Sequence, residues 1–494
     1  MSVKMLPQTE NIAFAFTAED WHSTPASVQK AFLLLLNRVT DLEQKVADLE
    51  EQLNRNSGNS SQPPSQDGPD KPILRKSEKS PRKRGGQQGH PGAKRPLVPL
   101  ELVKKSYDIK PEQCAHCGVA LTEDDQNPYR HQVIEIPPMI AEVTEYRLHT
   151  CTCQQCGKKT RGTLPSGVPA GAFGPRIEAM VGLLSGQYHL SKREIENMMD
   201  TFFQVSIGLG TIPRLEKRCQ QAVASPVAEA QEHVRQQAVV HMDETGWREE
   251  NKKAWLWVAA TTWVAVFQIW RSRGSKVAKA LLGEQFVGYI VSDRWSAYNW
   301  FDKVRRQLCW AHLKRDFQAI SERKGLSRII GEGLLKQTKQ LFDHWYQVRD
   351  GTLSRSDFIK MTKPIRDETS RLLREGTTCD HKKTAGTCRH ILRFEPALWT
   401  FIYVTGIEPT NNFAERQVRP GVLWRKGSFG TQSQSGSRFA ESLMTVVATL
   451  KLQNRNPFEY LVAAINAANY GKSAPSLLPS DTIHNVNVLV QETP

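Results

Sequence analysis

Between residues 238 and 310 the chain consists largely of short apolar runs, and two of those runs end on a carboxylate. The runs at 238–243, 254–262, 264–270, 288–293 and 305–310 are rich in β-branched and aromatic residues and too short for helices, which predicts strands. Helical patterns at 275–284 and 296–302 lie between them. Strands with interposed helices fold as an α/β sheet covered on its faces. The first run, in "VVHMDETGW", delivers Asp243, and the fourth, in "GYIVSDRWSAY", delivers Asp293. A third acid, Glu415, stands in "EPTNNFAERQVRP" at the start of a predicted helix.

Two strand-end aspartates and a helical glutamate are the set that holds two divalent cations for phosphoryl transfer, with the ions about 4 Å apart. Hard oxygen donors favour magnesium or manganese over zinc. Each acid also fits a structural role. Asp243 and Asp293 are suited to capping a turn or starting a helix. Asn412 followed by Glu415 fits a helix start in which the glutamate reaches back to the cap. Glu244 and Glu408 are available as well, so the pattern alone leaves the third acid open.

The charge balance narrows the phosphate. A net charge of +15 and a pI near 9.4 favour a polyanionic partner, nucleic acid before membrane. The most apolar window, 255–270, is interrupted by threonines and a glutamine and falls short of the roughly 20 residues a membrane span needs. The N-terminal stretch shows no secretory signal pattern, so a cytoplasmic protein is expected. Nine cysteines, an odd number with five between Cys114 and Cys156, point to metal binding rather than disulfides.

Ahead of the strand-rich region the chain reads as a series of modules. Phe32, Leu35, Val39, Leu42, Val46, Leu49 and Leu53 alternate steps of three and four, which predicts a coiled coil over 28–56 and a parallel dimer, or else one amphipathic helix on its own domain. Residues 57–100 have a linker's composition, and 71–95 carry nine Lys or Arg against one acid, centred on Arg82, Lys83 and Arg84. Within 101–168, Cys114 and Cys117 with Cys153 and Cys156 make two CxxC knuckles, each followed by glycine and separated by 35 residues. Two such turns complete a tetrahedral structural zinc site, with Cys151 and His116 as alternative ligands. Residues 170–225 read as three short helices, the second with a Ser191/Glu194 capping box. That layout suggests a helix-turn-helix, with Lys192, Arg193, Arg214, Lys217 and Arg218 as basic groups near DNA. Residues 313 to about 400 are charged and helical, an insertion between the second and third acids, and 474–494 form a polar tail.

The order of these segments carries a resemblance. The coiled coil, "KRGGQQGHPG", the paired knuckles, "LSKREI", "HMDETGW", "SDRWSAY", "CWAHLKRDF" and "TNNFAERQVRP" resemble, in sequence order over roughly residues 30–470, the transposases of the insertion-sequence-66 family. The resemblance implies a multidomain protein with an α/β RNase H-like catalytic core at 235–470. It further implies a DDE triad of Asp243, Asp293 and Glu415 on magnesium or manganese, and it is the resemblance that selects Glu415 over Glu408. Cys309 and His312 match a Cys-x-x-His signature near such active sites, though a core cysteine and a helix-starting histidine fit equally. Arg416 and Arg419 flank Glu415 and are candidates for phosphate contact. The implied activity is binding of an element's terminal inverted repeats, strand cleavage and transfer into target DNA, with small accessory proteins encoded beside such enzymes as further partners. A non-catalytic DNA-binding regulator and an RNase H-like nuclease are the alternatives, the first unable to nick DNA and the second unable to join it. The chain departs from the pattern at Arg294, where many relatives carry glycine, and in the fifth clustered cysteine, Cys151.

Overall fold

A computed structural model describes residues 18–54, 60–61, 96–122 and 125–479. The basic residues Arg82, Lys83 and Arg84 lie outside the described residues, as does most of the segment read as a linker. The chain divides into two units, residues 1–78 with 315–332, and 79–314 with 333–494. In the first, α1 (Ala18–Ser23) leads into the 29-residue α2 (Ala26–Asn54). Trp21 packs edge-on against Phe32. The rest of the heptad stripe is bare: Leu35, Val39, Leu42, Val46, Leu49 and Leu53 are all exposed, so α2 does not bury its apolar seam against the described residues. Among the described residues no helix is long and apolar enough to cross a membrane.

The second unit opens with an antiparallel hairpin, β1 (Thr150–Thr152) and β2 (Lys159–Arg161), whose turn is the second cysteine knuckle. Four helices follow: α3 (Pro175–Gly186), α4 (Lys192–Phe203), α5 (Ile212–Ala222) and α6 (Ala224–Arg235). Ser191 and Glu194 form the reciprocal capping box at the start of α4. Val181, Ile195, Met199, Ile212 and Leu215 make a small separate core where α3, α4 and α5 meet.

Five strands build the main sheet in the order β5-β4-β3-β6-β7. β3 (Val239–Glu249), β4 (Lys252–Ala260) and β5 (Ala265–Trp270) run antiparallel as a meander, then α7 (Ser275–Leu282) crosses to β6 (Tyr289–Ser292) and β7 (Arg306–Leu308), which run parallel to β3. The turn between β3 and β4 uses Glu250 and Asn251, both with positive φ (52° and 60°), as a twisted two-residue hairpin requires. The first strand is longer than its apolar run. Charged residues and Gly246 end the hydrophobic pattern at Asp243, but pairing with β4 continues to Glu249↔Lys252. Parallel pairing with β6 stops at His241↔Val291, so Asp243 lies two residues past the end of that ladder and not at the end of its strand. The helix expected at 296–302 is a single 3-10 turn, Ser296–Tyr298.

From β7 the chain is helical: α8 (Trp310–Ser321), α9 (Leu326–Arg349), α10 (Arg355–Thr377), α11 (Lys382–Arg393) and α12 (Thr400–Tyr403). It returns to the sheet as α13 (Asn412–Ser428), α14 (Gln434–Leu452) and α15 (Pro457–Asn469). α13 lies close on β4, since a Cβ on Gly421 would stand 2.2 Å from Leu256 Cδ2. The segment assigned to a polar tail begins as part of the core: Leu477 is fully buried, Leu478 packs beside it, and Gln453 donates to the Leu477 carbonyl at 2.9 Å, because a short apolar pair among polar residues still gains by burial.

Both sheet edges are closed by side chains. At β5 the outward amides of Ala265, Phe267 and Ile269 donate to Thr449 (3.1 Å), Thr445 (3.0 Å) and Glu441 (2.6 Å), three residues spaced by four on one stripe of α14. Four helical residues rise about 6.0 Å and two strand residues about 6.8 Å, so the two spacings stay in step over this length. At β7, Thr400 Oγ1 donates to the Arg306 carbonyl and Gln307 Oε1 accepts from Phe401 N. Thr445 is wholly buried, so Thr445→Val keeps the shape of the core but strands the Phe267 amide. A loss of about 1–3 kcal/mol in unfolding free energy is expected from urea titration. An unchanged midpoint would show that this amide is not held by the helix.

Candidate active site

Alternation along β3 sends Asp243 and Glu244 to opposite faces of the sheet. Burial raises the Asp243 carboxyl well above its ordinary range, and the negative charges of Glu244, Asp293 and Glu415 raise it further; a hydrogen bond from the Glu244 amide at 2.9 Å works the other way. Asp293 follows β6, and its Oδ1 accepts from Trp295 N at 2.9 Å. Its carbonyl accepts from Arg306 Nη2 at 2.7 Å, while Arg306 Nε binds Ser292 Oγ at 3.1 Å. Arg306 is completely buried, and desolvation draws its guanidinium down to about 10. Glu415 enters from the first turn of α13, with Oε1 3.6 Å from His312 Nδ1. All three acids are half-buried.

Of the two alternative acids, Glu244 lies beside the site but is already engaged, and Glu408 lies away from it. Glu244 is buried, with Oε1 accepting from Arg273 Nε at 2.9 Å and Oε2 from the Tyr298 hydroxyl at 2.5 Å. Burial and the charge of Asp293 push it up to about 7 despite those bonds. Arg273 is itself stacked between Trp295 and Trp255, with its Cζ 3.9 and 4.7 Å from the ring centroids. Glu408 is exposed on the loop before α13, where its charge acts on Arg355.

α13 starts at Asn412, with Asn411 as its cap, and no capping side-chain bond forms there. Glu415 therefore does not serve the helix start, as the sequence pattern allowed. Asn411 works across the site instead. Its buried side chain donates Nδ2 to the Met242 carbonyl at 2.7 Å and lies 3.3 Å from His241 Nδ1 through Oδ1. Its amide donates to Cys309 Sγ at 3.2 Å, and the Cys309 amide donates to the Ser292 carbonyl at 2.9 Å. These bonds tie the residues before Asp243 and Asp293 to Asn411, whose carbonyl accepts from the Glu415 amide at 3.2 Å. Burial drives His241 down to about 4, so it is neutral, and pushes the Cys309 thiol up to about 11.

The residues fit a divalent cation. Glu415 Oε1 is shielded from solvent and accepts no hydrogen bond among the described residues, and Asp243 faces the repulsion of three other carboxylates. A cation relieves both, and aspartate and glutamate oxygens suit magnesium or manganese. Among the described residues, the one group of three or more His, Cys, Asp or Glu side chains with ligand atoms all within 4.8 Å of each other is Cys309, His312 and Glu415, so the oxygens of Asp243, Asp293 and Glu415 do not all come that close to one another. Cys309 in that group is a protonated thiol already accepting a backbone amide.

The expected zinc ligands form two separate halves. Backbone amides of His116 and Cys117 bond Cys114 and lower its thiol, as those of Cys156 and Gln155 do for Cys153. Gly118 and Gly157, both at φ 72°, close the turns through bonds to the Cys114 and Cys153 carbonyls. Each knuckle thus has the form that presents two thiolates to a metal, but the four sulfurs are not gathered into one group.

The basic residues also separate. Arg214 and Lys217 on α5, Arg193 on α4, and Arg416 and Arg419 on α13 are exposed. Lys192 is engaged by Glu216 and Ser185, and Arg218 bonds the fully buried Glu178 at 2.8 Å, so these two stitch helices together rather than standing free for phosphate. A local sequence window holds no sign of such partners. Asn411, Tyr298, Arg273 and Arg306 were missed for the same reason, although the doubled asparagine before the helix is a visible oddity.

The profile described as "Transposase IS66 family" matches residues 170–439, more than half of the chain, taking in the three acids and helices α3 to α13. The chain belongs to the IS66 family of transposases. A family of unknown function matches residues 16–96 of this IS66-family chain, the part that contains α2. The uncharacterized protein y4qI of Sinorhizobium fredii (strain NBRC 101917 / NGR234) is 24% identical over 254 residues, covering 46% of each chain. The chain thus spans less than half the length of that relative.

The raised carboxyls set a pH dependence. Asp243 and Glu244 hold protons in the folded state that the unfolded chain releases near its ordinary values of 3.8 and 4.5. Stability therefore falls as pH rises from the ordinary carboxylate range toward about 7, the value for folded Glu244. Asp243→Asn should flatten part of that decline in urea titrations. Added manganese, which binds the ionised form and releases the proton, should stabilise wild type more at high pH than at low. A decline of equal slope in the variant would remove Asp243 from the account.

Proposed function

We propose that this chain is a DDE-type DNA transposase that binds the terminal inverted repeats of an insertion sequence and catalyses cation-dependent strand cleavage and transfer. The observation that carries the reading is that Asp293 and Glu415, together with Glu244, lie near enough to Asp243 for their charges to oppose its ionisation, while Glu244 is already engaged by Arg273 and Tyr298. A strand order of three antiparallel members followed by two parallel ones on the far side supports an RNase H-like core. Glu415 arriving on a helix after a helical insertion supports the same reading.

When bound, magnesium or manganese would activate the attacking oxygen and offset charge on the leaving oxygen. The protein's own residues do the positioning. Asp243, Asp293 and Glu415 would hold the cations, the Asn411 and Cys309 bonds fix the segments that carry them, and His312 Nδ1 stands 3.6 Å from Glu415 Oε1 without a hydrogen bond between them. Exposed Arg416 and Arg419 would meet phosphate next to that site. No serine or tyrosine nucleophile is required, and catalysis would rest on orientation and charge neutralisation.

The remaining modules serve to hold DNA and to assemble copies. Arg193, Arg214 and Lys217 are exposed on α4 and α5, a pair suited to a helix-turn-helix role. The knuckles would close on structural zinc, and the exposed seam of α2 supports pairing with a second copy, so that two element ends are held together. Small accessory proteins of the same element are further partners, and the bacterial cytoplasm, at the nucleoid, is the expected place of action.

Loss of a cation ligand removes several kcal/mol of charge stabilisation, so Asp243→Asn should lower nicking and joining of an end-containing duplex by about a hundredfold or more. Joining at the wild-type rate by a folded variant would sink the triad. The double substitution Arg214→Ala/Lys217→Ala should weaken end binding and reduce the slope of log affinity against log salt by about 2, at about 0.9 per phosphate contact. An unchanged slope would take α5 out of the interface.

A further inference from the structure

Beyond the acids, α13 and β3 continue side by side to a second feature. Arg416, Arg419, Leu423 and Lys426 are exposed and spaced by three and four, so they form one stripe along α13. Arg416 and Lys426 are about 15 Å apart at a rise of 1.5 Å per residue, which spans four to five nucleotides of a strand at about 3.4 Å each. The stripe ends in a cleft of about 630 Å³. Trp247, Arg248, Lys253, Arg425, Lys426 and Phe429 line it, and no acidic side chain does so among the described residues. The nearby acids of the β3–β4 turn, Glu249 and Glu250, are both paired with Arg271, at 2.8 and 3.1 Å.

Phe429 is the unusual member. It terminates α13 with φ 62°, the left-handed region that a bulky residue rarely adopts and where glycine ordinarily ends a helix. The residue is 70% exposed, so the backbone cost is not recovered by burial against the described residues. The wall beside it is firm: the Trp247 indole donates to Thr431 Oγ1 at 3.2 Å and meets Trp424 edge-on, and Arg425 Nη1 donates to the Gly246 carbonyl at 2.8 Å. Cations in a firm cleft with a presented aromatic face are the elements of a site for unpaired nucleotides, whose phosphates meet the charges and whose bases stack.

We infer that this cleft binds an unpaired stretch of DNA four to five nucleotides from the scissile phosphate, with a base stacked on Phe429 and the backbone on Arg248, Lys253 and Lys426. A base inside a duplex has no free face to offer the ring, so the site selects frayed or single-stranded DNA. The inference rests on the transposase reading and deepens it, naming where the strand leaves the catalytic centre.

The test uses the full chain and a fluorescein-labelled oligodeoxythymidylate, with anisotropy read at several salt concentrations and no divalent cation. Phe429→Gly removes the ring while relaxing the backbone, so its melting temperature should stay level or rise. Its affinity for the oligonucleotide should fall about tenfold, within the range of one lost base stack, with little change for a blunt duplex, and Phe429→Trp should restore it. Arg248→Ala/Lys426→Ala should reduce the salt slope by about 1.4, at about 0.7 per phosphate on single strands. Wild-type affinity in Phe429→Gly, or an unchanged slope in the double variant, overturns the inference. Asp243→Asn should bind the oligonucleotide normally, so failure of the catalytic reading would show in nicking and leave this binding intact.

Discussion

Asn411 sits where three distant segments meet, and its polar atoms are used by all of them. Its side chain holds the residue before Asp243, its amide holds Cys309, and Cys309 in turn holds the residue before Asp293. Glu415 follows four residues later on a helix whose direction is set by that anchor. The arrangement is buried, so each bond is worth more to the fold than it would be in water, and an unsatisfied member costs more. Three acids spread over more than 170 residues of chain are in this way referred to one short run of hydrogen bonds.

The electrostatics follow from that geometry. A strongly basic protein concentrates several carboxylates past the end of the β3–β6 ladder, and the nearest cations are committed to them unequally. Arg273 and Tyr298 occupy Glu244, and Arg306 supports the backbone of Asp293, whereas Asp243 receives one amide bond against three negative charges. The imbalance costs the fold stability and favours any divalent ion that enters. His241 stays neutral behind the strand, so it adds no competing positive charge.

How much of this was legible in the chain depends on the range of the interaction. The strands, the capping box of α4 and the two cysteine knuckles are local patterns, and each formed where the residues indicated. The extension of β3 to Glu249 was hidden, because pairing with β4 overrides the loss of apolar alternation after Asp243. Arg218 read as a DNA contact because its partner, Glu178, lies forty residues earlier in a helix that gives no sign of the pairing. The docking of Leu477 and the role of Asn411 were hidden for the same reason. Glu415 was singled out by family likeness, and its neighbourhood with Asp243 is a property of folding that spacing does not encode.

The stripe of Thr449, Thr445 and Glu441 along β5 makes α14 behave as a surrogate sixth strand. With the opposite edge also occupied, the sheet offers no template on which a second copy could add its own strand. Addition of a strand from a second copy to the five-stranded sheet is thereby disfavoured, and association through helices or through bridging DNA is favoured in its place. The phase between helix and sheet also makes α14 intolerant of inserted or deleted residues, since a shift of one position would rotate the whole row of acceptors away from the strand.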